Sequence, residues 1–269
     1  SWNNGVTNGV AFTPTSTATY TVTSTDANGN TSTDQVMVTV TSAPTVSAGN
    51  DLSVCVGSPI TLSGSGATTY TWTNGVTNGV PFTPSTTATY TVTGTTVNGC
   101  VNTDQVVVTV KTLPLATLLS SDTDAQICQG EQVTLYSAAA QSYTFYVNTS
   151  AIGTQTGSTA SISLNTLNNG DSVRVVTIGS NGCIATSQNL DFVVNALPTV
   201  GAGVNQAVCE GTPVTLSGSG ASIYTWNNGV TNNVPFAVGA TGNYIVTGTD
   251  VNGCVNVDTM LLTYSTIPV

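Results

Sequence analysis

The sequence predicts an all-β chain, a tandem row of small antiparallel β-sandwiches in an extended array. Three observations predict it. One block of text recurs along the 269 residues. Within each copy, apolar and polar residues alternate with a period of two, and turn residues interrupt them roughly every 8–12 positions. No segment carries a helical period of useful length.

The repeat sets the frame. Trp2, Phe12, Tyr20 and Asp34 return 70 positions later as Trp72, Phe82, Tyr90 and Asp104. The block starting at Cys55 returns at Cys128 and Cys209, each followed 17 residues on by an aromatic, Trp72, Phe145 and Trp226. A second cysteine follows that aromatic by 28 residues at Cys100 and Cys254, and by 38 at Cys183. The third copy therefore carries an insertion of about ten residues, placed within 149–169 as a polar Gly/Thr-rich hairpin. The modules are residues 1–41 (a second half only), 42–111, 112–196 with the insertion, and 197–269 with the start of the next linker.

Taken in order, Ser1–Asn4 is the Trp-bearing strand of module one, Ala18–Thr25 points Tyr20 and Val22 inward, and Gln35–Val40 is the last strand. Asn28-Gly29 is read as a type I′ hairpin turn, because both its central residues tolerate positive φ. Its counterpart Asn98-Gly99-Cys100 shows that Asp26–Asn30 is a turn and not a calcium loop. Asn30 replaces that cysteine, so module one is expected to lack a disulfide, with no cysteine at its upstream partner position either. Cropping from a longer chain accounts for the missing front strands; donation by a neighbouring subunit through strand addition is the alternative. In module two, Ile60, Leu62, Tyr70, Trp72, Tyr90, Val92, Val106, Val108 and Val110 alternate toward the core. Short Pro-centred joints at Pro44, Pro114, Pro198 and Pro268 favour limited flexing over a loose tether.

Two cysteines per complete module at matching positions read as three intramodule disulfides, Cys55–Cys100, Cys128–Cys183 and Cys209–Cys254. A zinc site is disfavoured, since neither CxxC spacing nor histidine is present. Each bond is expected to clamp one end of a sandwich, adding roughly 4 kcal/mol by loop closure, a large share for a domain this small. Disulfides imply an oxidising, extracellular or cell-surface location. No signal peptide or transmembrane run is evident, and the chain reads as a window of a longer secreted protein.

Charge narrows the partners. Two cations against twelve anions, a net charge of −10, disfavour nucleic acid and anionic membrane surfaces. Thr, Ser, Asn and Gly supply the polar surface instead.

The run Cys55-Val-Gly57, Ile60-Thr-Leu62, Tyr70-Thr-Trp72, Thr87-Ala-Thr-Tyr-Thr-Val-Thr93 and Asn98-Gly-Cys100 with its Val-rich last strand resembles the Ig-like and PKD-like repeats of very large Bacteroidetes surface adhesins. These include gliding-associated adhesins exported by type IX secretion. The resemblance spans essentially the whole chain and implies Ig-like sandwiches in a cell-surface or extracellular adhesin or filament. The cysteines depart from antibody-type domains, where the bond lies beneath the core tryptophan.

Catalysis is excluded on the residues present. With no histidine, a general base must be a carboxylate, and the only glutamates, Glu131 and Glu210, sit in different modules. No cofactor is expected. The metal reading is calcium at Asp122 and Asp124, closely spaced oxygen donors set against a plain solvated loop. Outward threonines (Thr19, Thr21, Thr23; Thr89, Thr91, Thr93) suit strand propensity on a solvent face, or a flat glycan- or ice-binding surface. O-glycosylation is a further use of such hydroxyls, with Ser172 and Thr259 as candidates in Asp-Ser/Thr-apolar settings. Asn30 and Asn148 head N-glycosylation sequons, relevant in a eukaryotic host. The expected role is a non-catalytic structural or adhesive stalk, or a filament, partnered by other copies, adjoining repeats or surface glycans.

Overall fold

In the computed structural model, which describes residues 1–266, the alternating Thr and Val runs become the long central strands. Ala88–Thr95 buries Tyr90 and Val92 on one face while its threonines stay partly solvated on the other. It pairs in antiparallel register with Val101–Lys111, Tyr90 opposite Val106 and Val92 opposite Asp104. The architecture is all-β, with a 3₁₀ turn at Thr73–Gly75 among the described residues. The Pro268 joint lies outside them.

The chain divides into two compact units, Ser1–Thr112 and Leu113–Val269. In the first, module two places Leu52–Cys55, Val101–Lys111, Ala88–Thr95 and Thr69–Trp72 side by side in one sheet. Ile60–Thr61 pairs with Pro81–Phe82 on the facing layer, where Ser47 bridges Ser65. This is the two-layer, Ig-like sandwich. Its core joins Val46, Ala48, Ile60 and Leu62 from the front half to Trp72, Tyr90, Val92, Val106 and Val108 from the back half. Module four repeats the order with Gln206–Cys209, Val255–Ser265, Gly242–Thr249 and Ile223–Trp226, over its own core.

Polar side chains pin the two layers together. Asn78 Oδ1 accepts from Trp72 Nε1 at 3.0 Å and from the Gly64 amide at 2.7 Å; Asn232 does the same for Trp226 and Gly218. Asp104 accepts the Ala48 amide and Asp258 the Ala202 amide, each at 2.8 Å, fastening the first segment to the last strand. These amides are the largest cause holding both carboxyls below the usual carboxylate range.

Two details differ from the sequence reading. At Asn28-Gly29 only Gly29 has positive φ, 86°. The Gly29 amide donates to Asp26 O, and Asp26 N to Asn30 O. This is the wider loop in which a glycine closes a type I turn, and the Asp26 carboxylate caps it through the Asn28 and Asn30 amides. The insertion of module three is not a self-paired hairpin. Ser150–Thr156 pairs with Ser142–Val147, while Thr159–Leu164 pairs with Val133–Ala138. Its two halves lengthen opposite layers over a larger core that includes Tyr143, Phe145 and Phe192.

Because the folded-state pKa values of Asp104 and Asp258 are depressed, their stabilisation is full above the ordinary value of 3.8 and is lost as pH falls through the lowered values. Thermal unfolding between pH 6 and pH 2 is expected to show a falling midpoint at the acid end, flattened in the Asp104→Asn, Asp258→Asn double variant. A second expectation concerns Gly66, where φ is +88° and an added Cβ would stand 1.8 Å from Thr45 O. Gly66→Ala should destabilise module two by more than about 1 kcal/mol in denaturant titration, whereas alanine at open Gly242 should be close to neutral.

Candidate functional site: the cysteines between modules

The first strand of a module and its last strand run parallel: Cys55 stands opposite Lys111, Cys128 opposite Asn195, and Cys209 opposite Ser265. The first cysteine is thereby carried to the end at which the chain leaves the module. The second cysteine lies at the other end, Cys100 just before Val101–Lys111 and Cys254 just before Val255–Ser265. An eleven-residue strand at about 3.3 Å per residue puts roughly 35 Å between Cys55 and Cys100, far beyond the Cα separation of about 4.4–6.8 Å a disulfide needs.

The intramodule pairing expected from the spacing is therefore corrected. Cys128 bonds Cys254, the second cysteine of the following module, with Cα atoms 5.5 Å apart and 126 residues between them in sequence. Cys55 and Cys183 are also disulfide-bonded. Cys100 and Cys209 carry free thiols, so neither Cys55–Cys100 nor Cys209–Cys254 is formed. Around the bond, the Cys128 amide donates to Glu131 Oε2 at 3.0 Å and the Cys254 amide to Asp250 Oδ1 at 2.9 Å. Cys254 is fully buried.

The other candidate residues are placed as follows. Asp122 Oδ1 accepts the Asp124 amide and Asp124 Oδ1 the Gln126 amide, so both carboxylates serve their own loop. No group of three or more metal-binding side chains is found among the described residues. Ser172 Oγ is buried without a hydrogen-bond partner, which removes it as an acceptor of glycan in the folded chain, while Thr259 is exposed on its strand. The sequon amides are engaged: Asn30 donates to Asp26 Oδ2, and Asn148 donates to Asp171 and accepts from the Ser172 amide. Glu131 caps the Cys128 amide, and Glu210 lies by Tyr264, whose hydroxyl pKa is raised first by burial and then by that carboxylate. The threonine faces are mixed, with Thr19 and Thr89 exposed and Thr21, Thr23, Thr91 and Thr93 half-buried.

Two further features lay outside the sequence reading. One is a groove of about 490 Å³ beside the module-three insertion, lined by Leu115, Leu119, Tyr136, Ala138 and Gln155. The other is Arg174, stacked 4.2 Å from the Tyr146 ring centre. No described helix is long and apolar enough to cross a membrane.

No family model matches the chain, and no curated protein matches it. Similar solved structures include the I-band fragment I67–I69 of titin, 11% identical over 84% of this chain and 100% of that one, TM-score 0.41. A Ca²⁺-stabilised adhesin with which an Antarctic bacterium binds ice is 17% identical over 94% and 82%, TM-score 0.34. The SGBP-B protein of a Bacteroides ovatus mixed-linkage glucan locus is 13% identical over 84% and 71%, TM-score 0.22. At these identities the likeness is one of fold alone.

Removing the Cys128–Cys254 bond with Cys128→Ser is expected to lower stability by about 2–5 kcal/mol in denaturant unfolding. Cys100→Ser and Cys209→Ser should each stay within about 0.5 kcal/mol of the parent chain.

Proposed function

We propose that the chain is a non-catalytic, load-bearing repeat segment of an extracellular adhesin stalk or filament. The observation that carries this reading is the Cys128–Cys254 bond, which ties one module to the next. Pulled from its ends, the chain bears load through that bond, and the residues between its two cysteines are shielded from extension. A disulfide of this kind also suits an oxidising, extracellular setting. The motif resemblance to Bacteroidetes surface-adhesin repeats supports the same placement, with adjoining repeats or further copies as partners. With two cations in the whole chain, the surface offers no electrostatic steering toward phosphate-bearing partners. The partly exposed threonine rows keep a glycan- or ice-binding surface as the second reading.

Single-molecule pulling tests the load-bearing reading. Reduction is expected to release at least roughly 430 Å of additional contour length, the extended span of the 126 residues closed by the Cys128–Cys254 bond. Equal contour lengths before and after reduction would contradict it. A rise in unfolding temperature specific to one polysaccharide would favour the binding reading instead.

A further inference from the structure

The front sheet of module three orders Thr159–Leu164, Val133–Ala138 and Leu119–Ser120 side by side. One face packs on the core; on the other, Tyr136, Ala138, Thr159 and Ser161 stand exposed. There they line the groove of about 490 Å³, with Leu115 and Leu119 along one wall, a volume in the range of small-ligand sites. The repeat supplies an internal comparison. Counted from the joint prolines and first cysteines, Leu115, Tyr136 and Ala138 stand where module two has Thr45, Ser63 and Ser65. Module four has Thr199, Ser217 and Ser219 there. Small polar residues thus give way to apolar and aromatic ones at three positions of one face. Leu115 is 61% exposed and Tyr136 42%, so core packing does not account for the change.

A second observation concerns the backbone. In modules two and four the bridges Ser47–Ser65 and Gly201–Ser219 close the first segment onto the front sheet. In module three the first segment pairs further along, Leu119 with Tyr136 and Ser120 with Leu135. Thr117 and Ala138, the counterparts of Ser47 and Ser65, border the groove instead. At the opposite edge Gln155 is held by both ends of its amide. Its Nε2 donates to Ser161 O at 2.6 Å, and its Oε1 accepts the Ser161 amide at 3.1 Å. This pair takes the hydrogen-bonding place of a further strand, which blocks strand addition at Ser161. It leaves one N–H and one lone pair of a fixed amide for a ligand.

The chemistry of the lining identifies the occupant. Leu115, Leu119 and the Tyr136 ring offer apolar surface, while Thr117, Thr159, Ser161 and the Gln155 amide both donate and accept hydrogen bonds. Every residue lining the groove is uncharged, so a charged ligand would lose hydration there without gaining a counter-ion. A pyranose chain with equatorial hydroxyls has the matching surface, since its axial C–H groups form flat apolar faces and its hydroxyls ring the edges. We propose that this groove binds an uncharged polysaccharide of the β-1,4-glucan type, with one sugar ring stacked on Tyr136 and hydroxyls bonded to Gln155. The inference rests on the glycan-binding reading and moves it from the threonine rows to module three. The load-bearing role does not depend on it.

The test titrates the full chain with cellohexaose, and with hexagalacturonic acid as the charged counterpart, by calorimetry and amide NMR. Cellohexaose is expected to bind, with shifts centred on residues 115–119, 136–138 and 155–161, and hexagalacturonic acid to bind at least about tenfold more weakly. The triple variant Leu115→Thr, Tyr136→Ser, Ala138→Ser installs the residues that module two carries at these positions. It should weaken cellohexaose binding by about tenfold or more, whereas Thr19→Ala, Thr89→Ala should bind as the parent chain does. Shifts centred on the threonine rows, or full binding by the triple variant, would overturn the groove and leave the glycan reading standing. Equal binding of the two sugars would overturn the uncharged occupant. No response to cellohexaose would overturn the proposal and remove its support for the glycan reading.

Discussion

The parallel pairing of a module's first strand with its last decides where every cysteine goes. Because Leu52–Cys55 runs in the same direction as Val101–Lys111, the first cysteine ends beside the residue that leads out of the module. The second cysteine marks the residue that begins the last strand. In modules two and four the two cysteines are thereby set at opposite ends of the same eleven-residue strand, too far apart to bond each other. Cys128–Cys254 instead forms across a joint. Had the first strand paired antiparallel, the same cysteines at the same spacing could have closed each module on itself.

This constraint relates the small cores to the chain's mechanical character. Each complete module buries a single cluster of about ten apolar side chains, near the lower size at which a domain holds itself together without staples. The polar pins, Asn78 and Asp104 with their counterparts Asn232 and Asp258, join the front half to the back half within a module. The disulfide joins one module to its successor.

Much of the fold was legible in the sequence. The Tyr90/Val92 and Val106/Val108 alternation marked the core face, and the 70-residue spacing marked equivalent positions. Alternation reports which face of a strand is buried but carries no information about the direction of its neighbour. The parallel pairing, and with it the disulfide partners, was therefore hidden. The insertion of module three was located by counting, but its division between two layers depends on tertiary pairing that Gly and Thr content does not specify. Ser172 matched a glycosylation pattern by its neighbours alone, while its buried hydroxyl is a consequence of packing. Asp104 looked like an ordinary strand carboxylate; its partner, the Ala48 amide, is 56 residues away.

The central claim is that a disulfide, Cys128–Cys254, joins two successive modules, and non-reducing proteolytic mapping by mass spectrometry tests it most directly. After alkylation of free thiols in the native chain, the account predicts a cross-linked fragment containing Cys128 and Cys254, with alkyl groups on Cys100 and Cys209. Fragments joining Cys128 to Cys183 and Cys209 to Cys254, with Cys100 bonded to Cys55, would contradict it.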